Sequence, residues 1–215
     1  MRVMLGNHSS PIFHYWAGKY PDKMGWLVGP SGQTKTRLRE WIPYALDNDV
    51  YADWDNGREW SEDGYYRFLD WVSVQKFAPL WAAVPDAIGD RGKTLEKWVR
   101  HSDRVRAYGW PVAFVVQDGM TPKDVPPCDV IFIGGTFRWK WNNVEKFAHH
   151  HPRVHVGRVN TLGKLRRCDE LGIESVDGTG WFRGPGNEFA RLEEYLCGKP
   201  ENQIPFTFNQ EKVFA

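Results

Sequence analysis

Six short segments of this sequence place polar groups directly after apolar runs. They are LDNDVYA with Asp47, VPD with Asp86, VVQDG with Gln117, IGGT with Gly134, Gly135 and Thr136, HVGRVN with Arg158 and Asn160, and SVDGT with Asp177. Carboxylates so placed can act as nucleophile or as general acid and base. A Gly-Gly pair can let backbone approach a ligand that a side chain would block. Taken singly, each has a plainer explanation. An aspartate after a strand most often caps a helix or an Asx-turn, and Gly-Gly is most often a turn. The joint pattern singles them out, because each falls at the same end of successive strand candidates.

Those candidates are Val3–Leu5, Trp26–Val28, Tyr44–Leu46, Leu80–Val84, Val112–Val116, Val130–Ile133, Val154–Val156 and Glu174–Val176. Helical spacing of apolar residues predicts helices at Thr36–Trp41, Glu62–Phe77, Thr94–Tyr108, Trp139–His149, Leu162–Leu171 and Glu188–Leu196. The first two units read as poor in helix and rich in Gly and Pro. This alternation suggests an α/β fold, a compact closed (β/α)8 TIM-like barrel, with an open doubly wound sheet as the alternative. Residues 1–215 read as one domain, a barrel over about 1–197 and a tail over 198–215 packed across its outside or end. In such a barrel, strand ends and the loops after them form the site. Three carboxylates, an amide and a glycine pair would then share one mouth.

Composition excludes rather than identifies. With 41% hydrophobic and 26% charged residues, the 215-residue chain is not a mostly disordered one. Lys+Arg 28 against Asp+Glu 27 means that no whole-molecule field recruits a polyanion, although a local basic face is still possible. No apolar run approaches the length of a membrane span, and the N-terminal apolar stretch is too short for a signal peptide. Cys128, Cys168 and Cys197 form neither a disulfide framework nor a CxxC zinc site, so a reducing, cytoplasmic setting is expected.

The order of the strand ends resembles the queuine/archaeosine tRNA-guanine transglycosylase superfamily. LDNDVYA is similar to its DSGG-type segment, with Asn48-Asp49 in place of Gly-Gly; VVQDG is similar to its VQGG-like strand, IGGT to its GGxxxG-type segment, and SVDGT to its final aspartate strand end. The likeness spans about residues 44 to 179. The zinc subdomain of the tRNA enzymes, with clustered cysteines and a histidine, has no counterpart here. The chain therefore looks most like the zinc-free DNA-acting branch, the 7-deazaguanine DNA transglycosylases of phages and bacterial modification systems.

The resemblance implies exchange of guanine in DNA for a free 7-deazaguanine base such as preQ0, with tRNA as the alternative polymer. It implies Asp177 as the nucleophile and Asp47 as general acid/base. Asp86, Gln117, Gly134, Gly135 and Thr136 would bind the base. Arg138, Lys140, Arg158, Asn160 and Arg183 would hold the nucleic acid, and Trp54, Trp81, Phe137, Trp139 and Trp181 are candidate stacking partners for a flipped or single-stranded nucleotide. Neither cofactor nor metal is expected, and a partner subunit or homodimer stays open.

Two other readings compete. The same carboxylates could serve an N-glycosidase or glycoside hydrolase that needs no incoming base. A barrel that binds nucleic acid without catalysis is the third. His149-His150-His151 precedes Pro152 at a helix end, where adjacent residues do not share a face, so a common metal site is not expected. The GPSGQTK segment lacks phosphate-loop spacing. His8 follows the first strand and is a candidate for the mouth.

Overall fold

The computed structural model describes residues 1–33, 37–182 and 188–198. Eight parallel strands close into a ring in chain order: β1 (Arg2–Gly6), β2 (Met24–Val28), β3 (Tyr44–Leu46), β4 (Ala82–Ala83), β5 (Val112–Val116), β6 (Val130–Ile133), β7 (Val154–Val156) and β8 (Ser175–Asp177). β8 returns to β1 with Val3 opposite Val176 and Met4 opposite Asp177. That pairing closes the barrel, so the open sheet is excluded. Helices α1 (Pro11–Lys19), α2 (Val50–Asp55), α3 (Glu62–Ser73), α4 (Arg91–Arg106), α5 (Phe137–Ala148), α6 (Leu162–Glu170) and α7 (Glu188–Leu196), with short 3-10 turns at Pro30–Gly32, Pro122–Asp124 and Gly180–Phe182, complete the described elements. Among the described residues, no helix is long and apolar enough to cross a membrane.

Side chains along a strand alternate between its two faces. Val3 and Leu5, Trp26 and Val28, and Val112, Phe114 and Val116 face the helices in one large cluster. The alternate residues Met4, Leu27, Ala45, Ala83, Ala113, Val115, Val130 and Phe132 form a separate cluster with Trp81. This second cluster fills the inside of the ring. Burial on both faces is why the strands read as continuous apolar runs. Trp81 occupies the space that Ala45, Ala83 and Ala113 leave, a large-against-small fit that suits a narrow barrel.

Two residues further along the inward stripe come Asp47 after Ala45, Gln117 after Val115, Gly134 after Phe132 and Asp177 after Ser175. The register that packs the core thus delivers these residues to the C-terminal mouth.

Two helices, α1 and α2, form where none was expected, and one expected helix does not. α1 was not anticipated, although Ser10 caps it by accepting the Phe13 N–H at 3.3 Å and Pro11 opens its first turn. Phe13, Trp16 and Ala17 bury its inner side. α2 is only six residues, entered through Asp49 at φ 57. The helix expected over Thr36–Trp41 does not form over residues 37–41, and Thr36 lies outside the described residues. Arg183 and all but the first residue of the expected tail lie outside them too.

Candidate active site

Asp47, Asp86 and Asp177 line a single cleft at the C-terminal mouth, together with Gln117, Gly134, Gly135 and Arg158. The space between its walls, open solvent at its mouth included, is about 560 Å³. Ile88, Val115, Phe132 and Tyr51 supply its apolar walls.

Asp86 is buried and held by two side-chain amides. Asn48 Nδ2 donates to Oδ1 at 3.0 Å and Gln117 Nε2 donates to Oδ2 at 2.5 Å. Gln117 is itself fixed, because its Oε1 accepts the N–H groups of Gly89 at 3.0 Å and Gly135 at 3.1 Å. Gly134 makes this possible: a Cβ there would stand 2.9 Å from Gln117 Nε2. Lys97 Nζ donates to the Asp86 carbonyl at 2.6 Å. Burial pushes the Asp86 carboxyl up, while Asn48, Lys97 and Gln117 pull it back. A carboxylate offers about four acceptor positions, so roughly half remain for a ligand.

Asp47 has a different setting. Its Oδ1 accepts the Asn48 N–H at 2.8 Å. Burial, then the charges of Asp49 and Asp177, hold its carboxyl well above the usual carboxylate range. Asp49 does not enter the cleft lining. It accepts the Ser31 N–H at 2.6 Å and takes the left-handed backbone at the entry to α2, a conformation Asp tolerates.

Asp177 ends β8. Arg158 N–H donates to its Oδ1 at 3.1 Å, and His155 Nε2 lies 3.1 Å from its Oδ2. Arg158 sits at φ 58. Its guanidinium donates to the Gly135 carbonyl and lies 4.2 Å from the centre of the Tyr51 ring, so it spans the cleft from β7 to β6.

Other expected site residues fall elsewhere. Lys140 is buried, 1% exposed, and donates to the Gly157 carbonyl. Burial, then Arg158, brings its pKa down to about 8. It cannot hold a phosphate at the surface; it holds the turn after β7. Thr136 is exposed but bound to Asp118 through both its N–H and its hydroxyl, each at 2.6 Å, and does not line the cleft. Asn160 accepts the Gly180 N–H at 2.9 Å and so ties two loops together. Trp81 and Trp181 are buried and cannot stack on a nucleotide. Trp54 and Phe137 are exposed beside the mouth, and Arg138 is exposed next to Phe137. Trp54 lies 5.8 Å from Tyr51, and Lys164 Nζ lies 3.6 Å from the Phe137 ring centre. His8 lines a smaller neighbouring cleft with Gly178 and stacks on Phe182.

No family model matches this chain, and no curated protein does. Solved structures do. The 3-hexulose-6-phosphate synthase of Salmonella typhimurium superposes with TM-score 0.54 at 10% identity, over 92% of this chain and 99% of that one. Another 3-hexulose-6-phosphate synthase gives 0.51 at 8% identity with the same coverage. The YdjI aldolase of Escherichia coli K12 gives 0.54 at 10% identity, over 94% of this chain and 81% of that one. The chain is a (β/α)8 barrel. At such identities the likeness shows the fold alone.

Sequence reasoning missed Asn48, Tyr51, His155 and Ser175. Asn48 stood out only as a departure from Gly-Gly. A usable signal existed for the other polar pair, since His155 and Ser175 interrupt the inward apolar stripe two residues before Gly157 and Asp177.

Proposed function

We propose that this chain exchanges guanine in DNA for a free 7-deazaguanine base through a covalent ester between Asp177 and the sugar. The observation that carries this reading is the meeting of Asp47, Asp86 and Asp177 in one cleft with Gln117 and the Gly134-Gly135 pair. Asp177 attacks C1′ of the target nucleotide, and the bond to guanine breaks as Asp47 supplies the proton the leaving base needs. The 7-deazaguanine base then gives its ring proton to Asp47 and attacks C1′, freeing Asp177. Two displacements retain configuration. A raised pKa suits Asp47 to both proton transfers.

Base selection follows from the acceptors left on Asp86. They face the N1–H and N2–H donors of a guanine edge, and the second N–H of Gln117 Nε2 meets O6. Adenine would leave these buried groups unpaired. The exposed rings of Trp54 and Phe137, with Arg138 and Lys164 nearby, support an extruded nucleotide and its neighbours at the rim.

The test uses DNA and tRNA labelled in guanine, each incubated with and without preQ0. Label release from DNA only in the presence of preQ0 is the expected result. Release without it would mean hydrolysis, and release from tRNA alone would change the polymer. No release from either overturns the proposal. Asp177→Ala is expected to abolish release while circular dichroism stays unchanged.

A further inference from the structure

Below Asp177 the barrel interior, apolar elsewhere, holds a polar pair. His155 and Ser175 are 0% and 1% exposed. Unpaired, an imidazole and a hydroxyl there would each cost free energy. They are paired in line: Ser175 Oγ lies 2.9 Å from His155 Nδ1, and His155 Nε2 lies 3.1 Å from Asp177 Oδ2. Where Asp177 is ionised, as a nucleophile must be, its oxygen only accepts; a neutral ring then carries its hydrogen on Nε2, and Nδ1 accepts from the Ser175 hydroxyl. The ring cannot swing away. Phe132 stands edge-on at 4.5 Å between centroids, and Trp81 lies at 4.9 Å on a tilted plane.

The other oxygen of Asp177 is fixed by the N–H of Arg158, which follows the same strand as His155, at 3.1 Å. Donors on both oxygens set the plane of the carboxylate. Gly157 keeps its approach open, because a Cβ there would stand 3.2 Å from Oδ2 and 2.8 Å from the Phe132 ring.

We propose that Ser175 and His155 form a positioning relay, which fixes the ring tautomer and through it the direction in which Asp177 presents its lone pair to the cleft. Neither residue lines the cleft, so both act through Asp177. The inference rests on Asp177 being the nucleophile of the proposed exchange. Its kinetic signature is a loss in kcat with KM for DNA and for the base unchanged, because misaiming a nucleophile slows attack without weakening binding.

Two measurements on the full chain test it. Nitrogen–hydrogen NMR correlations of the His155 ring are expected to show the hydrogen on Nε2; a ring carrying it on Nδ1 alone overturns the relay. In preQ0 exchange, His155→Phe keeps an apolar-compatible ring but donates nothing, and its kcat is expected to fall about 100-fold at constant KM, the scale of a small misplacement. His155→Gln, which keeps an N–H donor, is expected to recover part of that loss. Ser175→Ala, the smaller change should His155→Phe fail to fold, is expected to lower kcat less. Wild-type kcat in His155→Phe, or in Ser175→Ala where that variant stands in, refutes the proposal. A wild-type chain that exchanges nothing overturns the transglycosylase reading instead, and the ring spectrum still decides whether the relay exists.

Discussion

On the wall of the mouth formed after β3 to β6, Asp86 meets side-chain amides that reach it from two loops. On the wall formed by β7 and β8, Asp177 meets a backbone N–H and a ring that rises from inside the barrel. The first wall is a network of loop side chains, whose geometry depends on Asn48, Gln117 and the close approach at Gly134. The second is rooted in the strand layer and backed by the buried Lys140. A group that recognises a ligand tolerates being set by loops, whereas one that must aim at an atom gains from rigid support. Asp47 lies between them, with one backbone donor, the Asn48 N–H, among the charges of Asp49, Asp177 and Asp86.

This contrast has measurable consequences. The largest is expected for Asp86→Asn, which replaces an acceptor by a donor where the proposed guanine edge would lie. Binding of preQ0 by calorimetry is expected to weaken roughly 100-fold, the cost of leaving buried polar groups mismatched. Unchanged binding would mean that the amide-held wall is not the reader.

Gly134→Ala attacks the same wall without touching a charge. Its Cβ would press on Gln117 Nε2 at 2.9 Å and Val115 Cγ1 at 3.0 Å. A destabilisation of about 1–3 kcal/mol is expected in denaturant titrations, together with weaker preQ0 binding. Gly163→Ala, where a Cβ meets nothing within 4 Å in α6, is expected to be neutral or slightly stabilising. Equal effects at the two glycines would remove the case for a tight approach.

Asp47→Asn separates function from stability. The folded protein holds this proton more tightly than the unfolded chain, because burial and neighbouring carboxylates raise the pKa. The stabilising contribution is complete below the ordinary value of 3.8 and is lost as pH rises toward the folded value. The variant is therefore expected to lose exchange yet melt a few degrees above wild type at neutral pH, with the difference shrinking toward acid. A variant that melts lower at every pH would contradict this.

The smallest effect concerns Lys140. Its folded pKa of about 8 lies below its ordinary 10.5, so this group makes stability rise with pH between those values. Lys140→Met is expected to flatten that rise in thermal melts across the same window. A slope equal to that of wild type would show that the buried ammonium carries no such penalty.

Most of the strands were legible because they are short apolar runs buried on both sides, β7 and β8 being interrupted by His155 and Ser175, and the aspartates stood out because the chain turns polar where it leaves the barrel. Lys140 misled for a local reason: a basic residue soon after the sixth strand was expected to hold nucleic acid, yet Lys140 turns inward to the carbonyl after β7. Thr136 misled because its partner Asp118 is 18 residues away on another loop.

Pattern and turn chemistry are short-range properties of a chain. They were enough to suggest a ring of strands, with an open sheet as the alternative, and to mark Asp47, Asp86, Gln117 and Asp177 at the strand ends. Which of these groups hold each other is a long-range matter. Asn48 with Asp86, and His155 with Ser175 and Asp177, are joined across strands 20 to 38 residues apart. Those pairings follow from strand register and barrel closure, and a shift of one residue in either would turn every one of these side chains to the other face.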